Sequence, residues 1–146
     1  MMTVTRILVP VDFSEPSGRA LDCAKTLAEK FSASLHLLTV VPDPFTLPNP
    51  SQWYVPAPGG YVEGLRRDAE IHVNELLNPD EHKRFEARDA VLFGDAPEKI
   101  LEYVGIERID MIVMGTHGRG GVARALLGSV AERIVRAAPC PVLIVR

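Results

Sequence analysis

Four short runs of the chain, 4–11, 35–41, 109–114 and 142–145, are almost continuously apolar and rich in Val, Ile and Leu. Strands read this way when both of their faces are covered, as inside an α/β sheet. A fifth run, 85–93, differs, because Glu86, Arg88 and Asp89 precede Val91 and Leu92. Between the runs, apolar residues recur at helical spacing. Ala20, Leu21, Ala24, Leu27, Ala28 and Phe31 form one face of a first helix, with Ser14 as its expected N-cap and Pro16 in its first turn. Val62, Leu65, Ala69, Val73, Leu76 and Leu77 outline a second, stopped near Pro79. Asp95 and Glu98 read as the cap of a third, carrying Ile100, Leu101 and Val104. Ser129 and Glu132 read as an S-x-x-E capping box for a fourth, with Val130, Ile134, Val135 and Ala138 behind it.

The order is βαβαβαβαβ. Strands separated by helices run parallel, joined by right-handed crossovers. The expectation is therefore an α/β chain: one doubly wound, open, parallel five-stranded sheet with helices on both faces, a Rossmann-like single domain over 1–146. A chain of 146 residues, 47% apolar and 24% charged, suits that expectation. The one long connector, 42–60, holds six of the twelve prolines together with Phe45, Trp53 and Tyr54. It reads as a surface loop or as a lid or partner surface.

Several classes of function fit poorly. A net charge of −3 lacks the basic footprint of a nucleic-acid binder. The apolar runs fall far short of the roughly 18 residues that a membrane span needs. No secretory pattern opens the chain, and two cysteines are too few for a disulfide framework, so a cytoplasmic location is expected. His36, His72 and His82 suggest no metal cluster.

In open α/β sheets, ligands sit beyond the carboxyl ends of the strands, where strand order reverses. Two segments at such ends stand out, 10–14 after the first strand and 115–121 after the fourth. The second has four glycines in seven residues and runs on to Gly128 and Ser129 at a helix start. Glycines let peptide N–H groups approach phosphate oxygens, and a helix N-terminus attracts negative charge. Arg119 and Arg124 add cations to the same stretch. The pattern points to an anion, with a flexible connector as the bland alternative. There is no P-loop, the loose G-x-G-x-x-A at 118–123 lies after the wrong strand for a dinucleotide site, and there is no G-x-S-x-G, H-E-x-x-H or C-x-x-C.

Gly115 and Gly118, followed after nine residues by Gly128 and Ser129, match G-2x-G-9x-G-[ST]. This resembles the signature of the ATP-binding branch of the universal stress protein family. Residues 7–14, 94–97, 113–119 and 140–145 are similar to other segments of that family, in order along nearly the whole chain. The resemblance implies the strand order 3-2-1-4-5 of the adenine nucleotide alpha hydrolase-like fold. One ligand shared by Asp12 and Gly115 would also require the first and fourth strands to be neighbours. The resemblance further implies an ATP site, with ADP and AMP as alternatives and Mg²⁺ as companion. Asp12 resembles the acid that contacts the adenosine part. Pro10 and Val40 resemble the lining of the adenine slot, and Met114 and Gly115 the strand end beneath the ribose. Gly118, Gly128, Ser129 and Val130 resemble the phosphate cradle, with His117 and Arg119 at variable positions of the same loop. Position 131 is Ala, where ATP-binding relatives often carry a hydroxyl.

The functional expectation is a nucleotide-dependent regulatory protein of a stress response. The alternatives are a slow ATPase on the same fold and a nucleotide-free interaction module. Adenylylating enzymes of this fold need a pyrophosphate-gripping loop where this chain has Asp12-Phe13-Ser14-Glu15-Pro16. No catalytic residue and no metal-ligating residue is assigned. The last strand, Val142–Val145, carries no charge to guard its edge, whereas Glu86, Arg88 and Asp89 guard the third. A homodimer through Val142–Val145 is therefore expected, and the resemblance points the same way.

Overall fold

Each β-branched run enters one sheet, and each helical pattern covers one of its faces. The computed structural model describes residues 1–43, 59–117 and 127–146. Strands β1 (Arg6–Pro10), β2 (Ser34–Val41), β3 (Arg88–Phe93), β4 (Met111–Gly115) and β5 (Val142–Val145) form a five-stranded sheet of order β3-β2-β1-β4-β5. All four neighbouring pairs are parallel, with Ile7 opposite Leu35 and Met111, and Met114 opposite Ile144. The first strand is thus central, and the chain reverses direction of winding between β1 and β4.

Helices α1 (Glu15–Phe31) and α2 (Tyr61–Asn74) lie on one face, α4 (Ala96–Glu107) and α5 (Ser129–Ala137) on the other. The alternation of side chains along β1 divides the core accordingly. Ile7 and Val9 pack with Ala20, Ala24 and Ala28 of α1 and Val73 of α2. Leu8 packs with Ile100, Val104 and Ile134 of α4 and α5. The alanines of α1 let that helix approach closely above β1 and β4. No described helix is long and apolar enough to cross a membrane.

Some local expectations need correction. A further helix, α3 (Pro79–Arg84), stands where only a stop at Pro79 was anticipated. Asn78 caps it in a reciprocal box with Glu81, and Pro79 occupies its first turn, where the missing N–H costs nothing. Phe85, assigned to the third strand, closes this helix instead and is buried, and Glu86 turns with φ 44, so β3 begins at Arg88. The second helix ends at Asn74, although Leu77 in the following turn still reaches the core. Phe31 and Val135, counted on apolar helix faces, are exposed.

Candidate functional site

The floor of the candidate site is laid by three chain ends meeting at the reversal between β1 and β4. After Pro10, the Val11 N–H donates to the Leu38 carbonyl at 2.8 Å, and the chain then leaves the sheet at Asp12. Ser14 accepts from the Ser17 N–H and caps α1, as its residue type predicts. Its N–H and hydroxyl both donate to Asp12 Oδ1, which orients that carboxylate. Across the gap, β4 ends at Gly115, against which Pro16 of α1 rests directly.

Thr116 then ties the strand end to two other elements. Its N–H donates to the Val145 carbonyl at 3.1 Å, and its carbonyl accepts from the Gly128 N–H at 2.7 Å. Its hydroxyl lies 3.0 Å from His117 Nδ1. The loop that leaves β4 is therefore pinned to the last strand and to the start of α5.

The start of α5 corrects one expectation. Ser129 is the first helical residue, not the cap. Gly128 occupies the N-cap, with φ −69 and ψ 164, and no side chain caps the helix. Glu132 consequently falls one position too late for a capping box, and its carboxylate accepts from Arg136 at 3.0 Å instead. The first-turn N–H groups that a Ser or Asp cap would occupy are left to solvent or ligand. A second tie holds this wall: Arg133 of α5 donates to Asp95 at 3.1 Å, and Asp95 caps α4.

Together these elements enclose a cavity of about 230 Å³. Among the described residues singled out from the sequence, Pro10, Asp12, Val40, Met114, Gly115, His117, Gly128, Ser129 and Val130 all line it. Gly118, Arg119 and Arg124 lie outside the described residues, as do Phe45, Trp53 and Tyr54 of the connector. The lining also includes residues that sequence reasoning missed. Leu38, Ala96 and Ile100 extend the apolar wall, and Ser17 adds a polar atom, while Ala131 and Thr116, noted at position 131 and within 115–121, line the cavity too. Ile100 was read only as a core position of its helix. Its place one turn after the Asp95 cap was the available signal that it stands at the ligand end of the sheet.

The walls differ in character. Leu38, Val40, Ile100 and Met114 make the apolar part of the lining, while Asp12 and the α5 start supply polar groups. Peptide groups in a strand point alternately to its two neighbours. Leu38 accepts from β1's continuation, whereas Val41 accepts from Gly94 beside β3. The Val40 peptide group therefore faces the β1 side, beyond the last paired residues of β1 and β2, Pro10 and Leu38. The Val40 N–H and carbonyl thus both open on that side of β2.

A profile of the Universal stress protein family matches residues 3–146. The chain belongs to the universal stress protein family. This universal stress protein is 33% identical over 143 residues to one from Methanocaldococcus jannaschii, a match covering 97% of this chain and 81% of that one. Its fold is similar to that of the universal stress protein UspA from Lactobacillus plantarum, with a TM-score of 0.78, 26% identity and all of both chains covered. A universal stress protein from Archaeoglobus fulgidus, solved in complex with dAMP, shares the fold with a TM-score of 0.64 at 17% identity over the whole of both chains.

Proposed function

We propose that this universal stress protein binds an adenine nucleotide, ATP foremost with ADP and AMP as alternatives, and acts as a nucleotide-dependent regulatory protein in a stress response. The observation that carries the reading is the convergence of Asp12, Val40, Gly115, Gly128 and Ser129 on one cavity at the strand-order reversal, beside a helix start without a side-chain cap. A planar base suits the apolar part of the lining, and the Val40 peptide group offers the donor–acceptor pair that an adenine edge requires. Asp12 is suited to the adenosine hydroxyls. Gly128, Ser129 and Val130 at the α5 start, with Gly118 and Arg119 from the preceding loop, form the proposed phosphate cradle. A bound Mg²⁺ would neutralise part of the phosphate charge. Ala131 lines the cavity without a hydroxyl, so one phosphate contact available to some relatives is absent. The complex of the Archaeoglobus fulgidus protein with dAMP supports an adenine nucleotide in this family.

Gly128→Val tests the cradle. The Gly128 backbone lies in the extended region open to any residue, so the substitution adds bulk without backbone strain. ATP affinity measured by calorimetry should fall by at least about tenfold, or ~1.4 kcal/mol. The far-ultraviolet circular dichroism should stay that of the parent. Unchanged affinity in a folded variant would overturn the cradle.

The regulatory unit is proposed to be a homodimer joined through β5 in the cytoplasm. β5 pairs only with β4, so its outer edge presents unpaired peptide groups among the described elements. Antiparallel pairing with the same strand of a second copy would close both edges. Ile144 and Val142 pack toward α4 and α5, whereas Leu143 is exposed, so Leu143→Lys places charge at the edge without entering the core. Sedimentation of the parent at micromolar concentration should give a dimer, and the variant a monomer. A parent that sediments as a monomer while binding ATP would refute the dimer.

A further inference from the structure

Asp12 is the one acidic side chain on the cavity wall among the described residues, and it is held by a turn that does two jobs at once. Phe13 follows it with φ 63, a left-handed conformation that a bulky residue adopts only when its surroundings impose it. Ser14 supplies the restraint. Its N–H donates to Asp12 Oδ1 at 3.0 Å, and its hydroxyl donates to the same oxygen. The same hydroxyl accepts from the Ser17 N–H at 3.3 Å. The Ser14 carbonyl accepts from the Ser17 hydroxyl and from the Gly18 N–H, each at 3.1 Å. Two residues on, Pro16 rests against Gly115 on the opposite wall. The turn therefore fixes the Asp12 carboxylate relative to the end of β4 as well as to α1.

Helix capping uses only the acceptor capacity of the Ser14 oxygen, whereas its hydrogen goes to Asp12. The two roles are chemically separable. We infer that Ser14 is a positioning residue of the nucleotide site, whose hydroxyl hydrogen bond holds the Asp12 carboxylate in the orientation that the adenosine end of the ligand requires. This rests on the reading of Asp12 as an adenosine contact. Thr at 14 keeps the hydroxyl and the cap, Ala at 14 removes both, and Ala in place of Asp12 removes the oxygen through which Ser14 acts.

The test is a double-mutant cycle read by ATP calorimetry, with thermal melting of the same samples. Ser14→Ala should weaken ATP binding by about tenfold, and Ser14→Thr should restore it to within about twofold of the parent. In an Asp12→Ala background, Ser14→Ala should cost no further affinity, because the acceptor Oδ1 is already gone. The melting temperature should still fall in that background, because the helix cap is lost there too. If Ser14→Ala binds ATP like the parent while Asp12→Ala weakens it, the positioning role is wrong and the site reading stands. Equal loss of affinity from Ser14→Ala in both backgrounds reduces Ser14 to a helix cap. If Asp12→Ala binds like the parent, the assignment of Asp12 fails and the inference fails with it.

Discussion

Replacing Gly115 by Ala should lower the melting temperature by about 2–10 °C and weaken ATP binding in the same variant. A Cβ built on Gly115 would sit 2.8 Å from both the carbonyl carbon and the Cβ of Pro16, and 3.0 Å from its oxygen. These are not the tips of flexible side chains. Pro16 lies in the first turn of α1, its φ is fixed by its ring, and the turn is held by the Ser14 cap. Either α1 moves off the sheet or the end of β4 drops away from it. Overpacking of this kind costs about 1–3 kcal/mol. Both escapes separate Asp12 from the Thr116 side of the cavity. Gly105 in α4 is the control, since nothing lies within 4 Å of its Cβ position. Gly105→Ala should stabilise by about 0.4–1 kcal/mol and leave ATP binding alone. Differential scanning calorimetry with and without ATP reads both variants. A Gly115→Ala protein with parental melting and affinity would show that the α1 turn yields freely.

The second large effect is acid destabilisation through His36. This ring on β2 is buried, with Nδ1 2.8 Å from the Tyr103 hydroxyl of α4. Burial, and then Arg88 next to it, push its pKa below 6.5, with Arg6 acting the same way and Glu107 opposing. The Tyr103 hydroxyl, buried and close to Glu107, is pushed up to about 12 and so keeps its proton to donate to the neutral imidazole. The sign follows from linkage: the unfolded chain takes up the proton at 6.5, the folded chain only at lower pH. The stability that neutral His36 contributes is complete above 6.5 and is lost as pH falls from there through the lowered value. His82 titrates with the opposite sign. Its burial favours the neutral ring, but the hydrogen bonds to Asp89 and to the Asn78 carbonyl and the charge of Asp89 together outweigh that and raise its pKa, so its contribution is present in acid and fades as pH rises through the raised value. Melting temperatures measured between about pH 7.5 and about pH 5 should therefore fall in the parent, fall less in His36→Leu and fall more in His82→Ala. Parental slope in His36→Leu would reject the assignment. Leu38 and Val40 lie on the same face of β2 as His36, and Ile100 stands one turn before Tyr103, so ATP affinity should weaken over the same acid window.

Much of this site was legible before any coordinates. Buried parallel strands need apolar residues on both faces, so β1, β2 and β4 announce themselves, and Gly115 and Gly128 of the glycine pattern line one cavity at the strand ends. The strand order came from the resemblance, supported by the demand that Asp12 and Gly115 share one ligand, and the sheet has that order. What failed was phase within a turn. An S-x-x-E pattern one residue inside a helix looks like one at its edge, and only the extended Gly128 backbone tells them apart. Asn78-Pro79-Asp80-Glu81 carried the signal for α3, a cap followed by proline and a reciprocal Glu, but the proline was read only as a stop. Ala96, Ile100 and Leu38 were hidden for another reason. An apolar residue under a ligand and one under a helix have the same composition and period, and only the sheet's end distinguishes them.

The two bonds of the Thr116 peptide also order events during synthesis. Chains fold from the N-terminus as they leave the ribosome. By residue 93, β1, β2 and β3 are available, together with the Asp12 turn and α1. The facing half of the crevice waits, because Thr116 finds its partners only when Gly128 and then Val145 have been made. Until β4 is made, the central strand β1 has one neighbour and one bare edge. Any ligand that needs both walls of this crevice would therefore be held only by a chain translated through β5.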